Sequence, residues 1–324
     1  MSIERRVAHR AALDHVLTLI ADAPWSSSLV LRGSMTMAAW AGDAAREPVD
    51  LDWVVLEDEV LVDPLDSYPY VDGVDVVQQW PEAADGAARY EMWGYEEFGT
   101  GGQRPLLPPE GLHWMADDLD HAELSPPYLD LLDRVRASPQ AAPGVLLDAD
   151  AANEDGTWTY AQYDTPGVRL VIPWRAEGLA PGAVSLDFAR DELLPEAPVW
   201  TPVPRGDGTR VAVRTAGREL SLAWKVLWLH ADCAAEGQAR GKDLYDAVLL
   251  AEAEGTRLSP RLLRKVLRRG LGGAADDFGP DAMAGWRVDW DGFRAEHAGV
   301  RGAAEDWLGR LIRALGPVFD TGSR

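Results

Sequence analysis

The chain has 324 residues, 47% apolar and 26% charged, a globular composition that excludes a wholly disordered or collagen-like protein and leaves room for one large domain or two smaller ones. Its formal charge of −22 has an address: residues 50–155 hold 25 acidic side chains against 4 basic ones, Arg89, Arg104, Arg134 and Arg136, while the remainder is close to neutral. Repulsion of anions therefore belongs to one central stretch rather than to the whole surface. A single cysteine, Cys233, and 6 scattered histidines exclude an internal disulfide and argue against a Cys- or His-based metal site. With no signal-peptide core at the start and no window near the roughly 18 apolar residues of a membrane span, the expectation is a soluble, cytoplasmic protein.

Apolar side chains at helical spacing from Val7 to Ile20, closed by Pro24, predict a helix over 4–23. Ser28 to Arg32 follows as a short strand, Gly33-Ser34 as a turn, and Met35 to Ala41 as a second helix. After a loop to Pro48, Val49-Asp-Leu-Asp-Trp-Val-Val55 predicts a strand whose Asp50 and Asp52 share one face, because strand side chains repeat every second residue. Residues 56–150 are rich in Pro, Gly, Asp and Glu and read as an irregular acidic elaboration, with short ambiguous runs at 71–77 and 129–135. Strands are predicted at 168–172, 183–188 and 210–214. Helical patterns then occupy 219–235, 242–254, 259–269 and 303–315, the last bounded by Gly316-Pro317.

Three carboxylates on predicted strands, Asp50, Asp52 and Asp187, form an oxygen donor set suited to Mg²⁺, a hard cation that remains attached to nucleotide phosphates. Two such ions can support in-line nucleotidyl transfer. Gly33-Ser34 at a helix start offers backbone N–H groups and a hydroxyl to phosphate oxygens. An Asp-x-Asp pair alone is equally a strand end with solvated carboxylates. In the helical part, Lys225 lies on one helix and Lys242-Asp-Leu-Tyr-Asp246 opens the next, with Asp243 and Asp246 neighbours on one face; acids in a first turn also simply favour the helix dipole. Gly99-Thr-Gly-Gly102 lacks the Lys-Ser/Thr of a phosphate-binding loop and reads as a plain loop.

Taken in order, Val30-Leu-Arg-Gly-Ser34, Asp50-Leu-Asp52, Leu186-Asp187, Lys225 and Lys242-Asp-Leu-Tyr-Asp246 resemble the AbiEii/MenT nucleotidyltransferase toxins of the DNA polymerase β-like nucleotidyltransferase superfamily. The resemblance spans roughly 25–55 and 165–250. It departs from the superfamily in the longer interval between Ser34 and Asp50 and in the acidic stretch, which carries no matching motif. What the resemblance implies is an α+β fold: a mixed-sheet catalytic domain over 1–215, with the acidic elaboration at about 56–155, and a helical domain over 216–324. It implies Asp50, Asp52 and Asp187 as ligands of two Mg²⁺ ions, and Gly33, Ser34, Lys225, Lys242 and Asp246 around the NTP. Asp243 would support the site or read the base. A separate antitoxin and transfer to the 3′ end of tRNA are further implications.

One segment speaks for RNA without that resemblance. Arg261, Arg264, Lys265, Arg268 and Arg269 fall on one face of the 259–269 helix, opposite Leu262, Leu263, Val266 and Leu267. Such a stripe can neutralise RNA phosphates, stand as a solvated face, or pair with the acidic stretch. Two other functions compete with an RNA-directed toxin: a nucleotidyltransferase acting on a cationic small molecule such as an aminoglycoside, drawn by the acidic stretch, and a catalytically silent binding relative.

Overall fold

The computed structural model describes residues 2–23, 25–56, 59–62, 94–95, 106–107, 113–116, 129–155, 159–160, 165–190, 194–271, 275 and 278–320. Helix α1 (Ile3–Ala21) starts where the Ser2 side chain accepts the Arg5 N–H, a favourable N-cap. Next come β1 (Leu29–Arg32), α2 (Ser34–Ala41) and β2 (Asp50–Val55). Two pairs of short strands lie within the acidic stretch: β3 (Glu59–Val62) with β6 (His113–Ala116), and β4 (Gly94–Tyr95) with β5 (Leu106–Leu107). The 71–77 run and the 99–102 loop lie outside the described residues.

The irregular reading of 56–150 fails from Leu129 onward. Helix α3 (Leu129–Ala137) and strands β7 (Gln140–Ala142), β8 (Val145–Leu147) and β9 (Asn153–Asp155) belong to the large mixed sheet and its cover. Their apolar periodicity is too short to be seen in sequence, but Leu131, Val135, Val145 and Leu147 are buried against α1 and the sheet, and burial is what makes these elements stable. The sheet continues with β10 (Thr159–Tyr160), β11 (Thr165–Ala176), β12 (Gly182–Ala189), β13 (Val199–Pro204) and β14 (Arg210–Thr215), in the order β13-β14-β1-β2-β12-β11-β8-β7, with β9 and β10 also pairing β11. Parallel pairs (β1 with β14, β2 with β12) alternate with antiparallel ones. Strand β13 is absent from the sequence reading because Pro202 and Pro204 argue against a strand; it sits at the sheet margin, where proline is tolerated.

The last third is helical, as its periodicity requires: α4 (Arg218–Glu236), α5 (Gly241–Glu252), α6 (Pro260–Leu271), α7 (Pro280–Ala284), α8 (Trp290–Glu296) and α9 (Ala304–Asp320), with β15 (Ala239–Arg240) paired to β16 (Val288–Asp289). Gly316-Pro317 does not stop α9, which runs through Pro317 to Asp320. A proline so near the C-terminal end removes a single intrahelical bond, and Leu315 and Val318 are buried beside it. The two faces of the sheet bury different cores. Leu51, Trp53, Leu186 and Phe188 pack toward α1, whereas Val30, Val54 and Met37 share a core with the C-terminal helices. This is the expected α+β class. The alternation in β2 consequently turns Asp50 and Asp52 toward the helical side.

Candidate active site

Register, not sequence proximity, assembles the site. Asp52 on β2 is the in-register partner of Asp187 on β12, and Ser185 that of Asp50. On the other side Asp52 pairs with Arg32 of β1, and beyond Asp187 the partner on β11 is Arg169. One row across four strands thus reads Arg32, Asp52, Asp187, Arg169, with Asp50 two residues from Asp52 on the same face. Neighbouring strands are about 4.8 Å apart, so carboxylates in such a row interact strongly.

The electrostatics agree. Asp52 is pushed up to about 7 by desolvation first, then by the Asp50 carboxylate, with Asp187 adding to the rise and Arg32 and Lys242 opposing it. Gly33 adopts φ 75° and caps α2. A Cβ there would collide with Asp52 Oδ2, so glycine is required both by the backbone conformation and by the close approach of the turn to the carboxylate. The buried Ser34 hydroxyl donates to Asp50 Oδ1 at 3.3 Å. The turn, the Asp pair and Asp187 are therefore one constellation, as their order along the chain suggested.

Asp187 is 4% exposed and both its oxygens are taken by Arg169: Nε donates to Oδ1 at 2.6 Å and Nη2 to Oδ2 at 2.7 Å. The Asp187 hydrogen bonds raise the Arg169 pKa, and Asp50 and Asp52 contribute in the same direction. Arg32, in contrast, is 1% exposed and lies over the indoles of Trp224 and Trp228, 5.3 and 5.9 Å from their centroids.

A second cluster forms where α4 meets α5. Lys225 Nζ donates to Asp243 Oδ1 at 2.6 Å and stands 3.3 Å from Asp246 Oδ2, all three side chains being buried. Burial alone would lift Asp243; the ammonium groups of Lys225 and Lys242 and the Lys225 hydrogen bond hold it below the usual carboxylate range. Burial would likewise lower Lys225, but Asp243 and Asp246 raise it. Asp246 also receives the guanidinium of Arg46, at 3.0 Å from Nη2 and 3.1 Å from Nε, and the Tyr245 hydroxyl donates to Ala44 O at 2.7 Å. Both contacts tie the α2–β2 loop to α5. Lys225 therefore does not stand open to solvent beside Asp50 and Asp52; Lys242, half-buried, is the motif lysine within electrostatic reach of Asp52.

The five bases of α6 are exposed, and Leu262, Leu263, Val266 and Leu267 are buried, as the spacing predicted. Sequence reasoning did not single out Arg32, Arg46 or Arg169. For Arg169 a signal exists, a lone charge within the apolar run 168–172; for Arg46, in a loop, there is none.

As donors, Asp50, Asp52 and Asp187 fit a divalent cation: hard oxygens crowd one face, and burial with the neighbouring carboxylates raises the cost of ionising Asp52, which a cation would relieve. Among the described residues, however, no three His, Cys, Asp or Glu side chains already converge as a cage, and the Arg169 fork occupies Asp187. No described helix is long and apolar enough to cross a membrane.

A mixed sheet bearing a Gly-Ser turn, an Asp-x-Asp strand and an in-register third Asp beside a helical module is the arrangement that the resemblance to nucleotidyltransferases leads one to expect. A family model described as "Nucleotidyl transferase AbiEii toxin, Type IV TA system" matches residues 118–310, more than half of the chain, and the chain belongs to that family. The matched span contains Asp187, Lys225 and 242–246; Gly33, Ser34, Asp50 and Asp52 precede it and join the site through the sheet. No curated protein matches the chain.

Proposed function

We propose that this nucleotidyltransferase toxin transfers a nucleotide from an NTP, with Mg²⁺, to an RNA acceptor, the 3′ end of tRNA, and that a separate antitoxin restrains it. The observation that carries the reading is the Asp52–Asp187 register beside the Gly33 turn. Asp50 and Asp52 would hold the two cations and Asp187 would complete the site for the attacking oxygen. Bound Mg²⁺ would supply charge neutralisation for the in-line displacement at the α-phosphate. Gly33 and Ser34 would present the start of α2 to the triphosphate. Lys242 would offset phosphate charge near Asp52, and Lys225, with Arg46, would act from behind by fixing Asp243 and Asp246 at the start of α5.

The exposed stripe Arg261, Arg264, Lys265, Arg268 and Arg269 supports RNA, since a chain of net charge −22 needs a local positive surface to receive a polyanion. Incubating the protein with Mg²⁺, each labelled NTP in turn and total tRNA tests the proposal. Label in tRNA is expected. Label in protein, or in an added aminoglycoside but not in RNA, would replace the acceptor, and label nowhere in any arm would overturn the transferase reading.

A further inference from the structure

The two arginines that flank the carboxylate row differ in exposure. Arg32 is enclosed, 1% exposed and held over two indoles. Arg169 is more open: its side chain is 41% exposed, it springs from β11 at the register position of Asp187, and its fork covers both Asp187 oxygens. A carboxylate engaged in this bidentate way has one lone pair of each oxygen committed to a guanidinium, so a cation approaching Asp187 has to compete with the Arg169 charge and take the lone pairs that the fork leaves.

The geometry points to Arg169 as a positioning residue that withholds Asp187 from the divalent cation until the guanidinium swings away into solvent or onto a substrate phosphate. This rests on the metal reading above and adds to it a competition between one cation of the chain and the bound one. Nothing need move in the backbone, because the long arginine side chain is already half in water. The consequence is that Asp50 and Asp52 take up a cation in the free protein while Asp187 joins late, so that the attacking oxygen is not activated in an idle site.

The test is direct Mn²⁺ binding to the full chain without nucleotide, read by the loss of free-ion paramagnetic resonance, for the parent protein, Arg169→Lys and Arg169→Gln, with melting temperatures as a folding check. Lysine keeps the charge and loses the fork. The expected result is tighter Mn²⁺ binding in both variants, about tenfold for Gln, the scale on which groups contacting a metal ligand alter affinity, less for Lys, and loss of the gain when Asp187→Asn is added to Arg169→Gln. A gain for Gln with none for Lys would mean that only the field of the charge matters and would overturn the latch. Equal binding by all three proteins overturns the latch while leaving the cation site standing; no Mn²⁺ uptake by any of them overturns both.

Discussion

The chain carries two charge clusters a short distance apart, one on the sheet and one where α4 meets α5, and they are built to opposite ends. In the helical cluster two cations, Lys225 and Arg46, meet two buried anions, Asp243 and Asp246, and Asp243 is held below its ordinary pKa. In the sheet cluster three carboxylates crowd together: Arg169 forks Asp187, but burial first and then the Asp50 charge push Asp52 up to about 7 against Arg32 and Lys242. A compensated buried network holds architecture in place. An undercompensated one stores repulsion that an added cation can release. On the proposed function, the difference would separate the groups that position from the groups that react, although both clusters are made of the same residue types.

The sharpest break of that comparison is Asp52→Ala or Asp50→Ala. Either should reduce nucleotide transfer below detection while circular dichroism and melting remain those of a folded protein, because the substitution removes a proposed cation ligand and relieves repulsion at once. A well-folded Asp52→Ala protein with parental turnover would sink the site.

Lys225→Ala should do the reverse, costing about 3–5 kcal/mol of stability because it strands the buried Asp243 carboxylate, Asp246 keeping Arg46. Urea denaturation measures it. A raised KM for NTP with unchanged stability would instead restore Lys225 to the role of a direct phosphate ligand.

A smaller effect sharpens the contrast through pH. The unfolded Asp52 ionises near pH 3.9 and the folded one at about 7. Between these values the native state holds a proton that the unfolded state has released, so stability falls as pH rises from about 4 to about 7. Asp52→Asn abolishes that term. Its melting temperature in metal-free buffer should gain on the parent across this window, by more than ~2 °C at pH 8, and then level off. Parallel curves would show that Asp52 does not feel its neighbours as described.

The smallest effect on the fold and the most selective on function is charge reversal at Arg264 and Arg268. These exposed side chains should change stability by less than ~0.5 kcal/mol yet raise KM for RNA and not for NTP, with the effect shrinking as salt screens it. Silence here, with weakened binding on neutralising acids in 56–155, would favour a small cationic acceptor.

Much of this was written locally. The periodicity of 4–23 and of the four C-terminal helical patterns needs only a helix period and its punctuation, and Asp50 and Asp52 share a face by strand geometry alone. The order of Gly33-Ser34, Asp50-Leu-Asp52, Asp187, Lys225 and 242–246 identified the family. Helix α3, the short strands 140–155 and β13 escaped because three to nine residues carry too little pattern, and because Pro202 and Pro204 are acceptable only at a margin that the sequence does not mark.

What the tertiary structure alone decided is who faces whom. Strand pairing brings Asp52 opposite Asp187, more than 130 residues away in the chain, and a one-residue slip would have turned Asp187 into the opposite core. The same register places Arg169 on Asp187 and Arg32 beside Asp52. Burial between α4 and α5 made Lys225 the partner of Asp243 rather than an open cation. A lysine, an arginine or an aspartate declares its charge in the sequence, but its partner and its contact with water are set by long-range packing, and these decide whether the charge supports the fold or does chemistry.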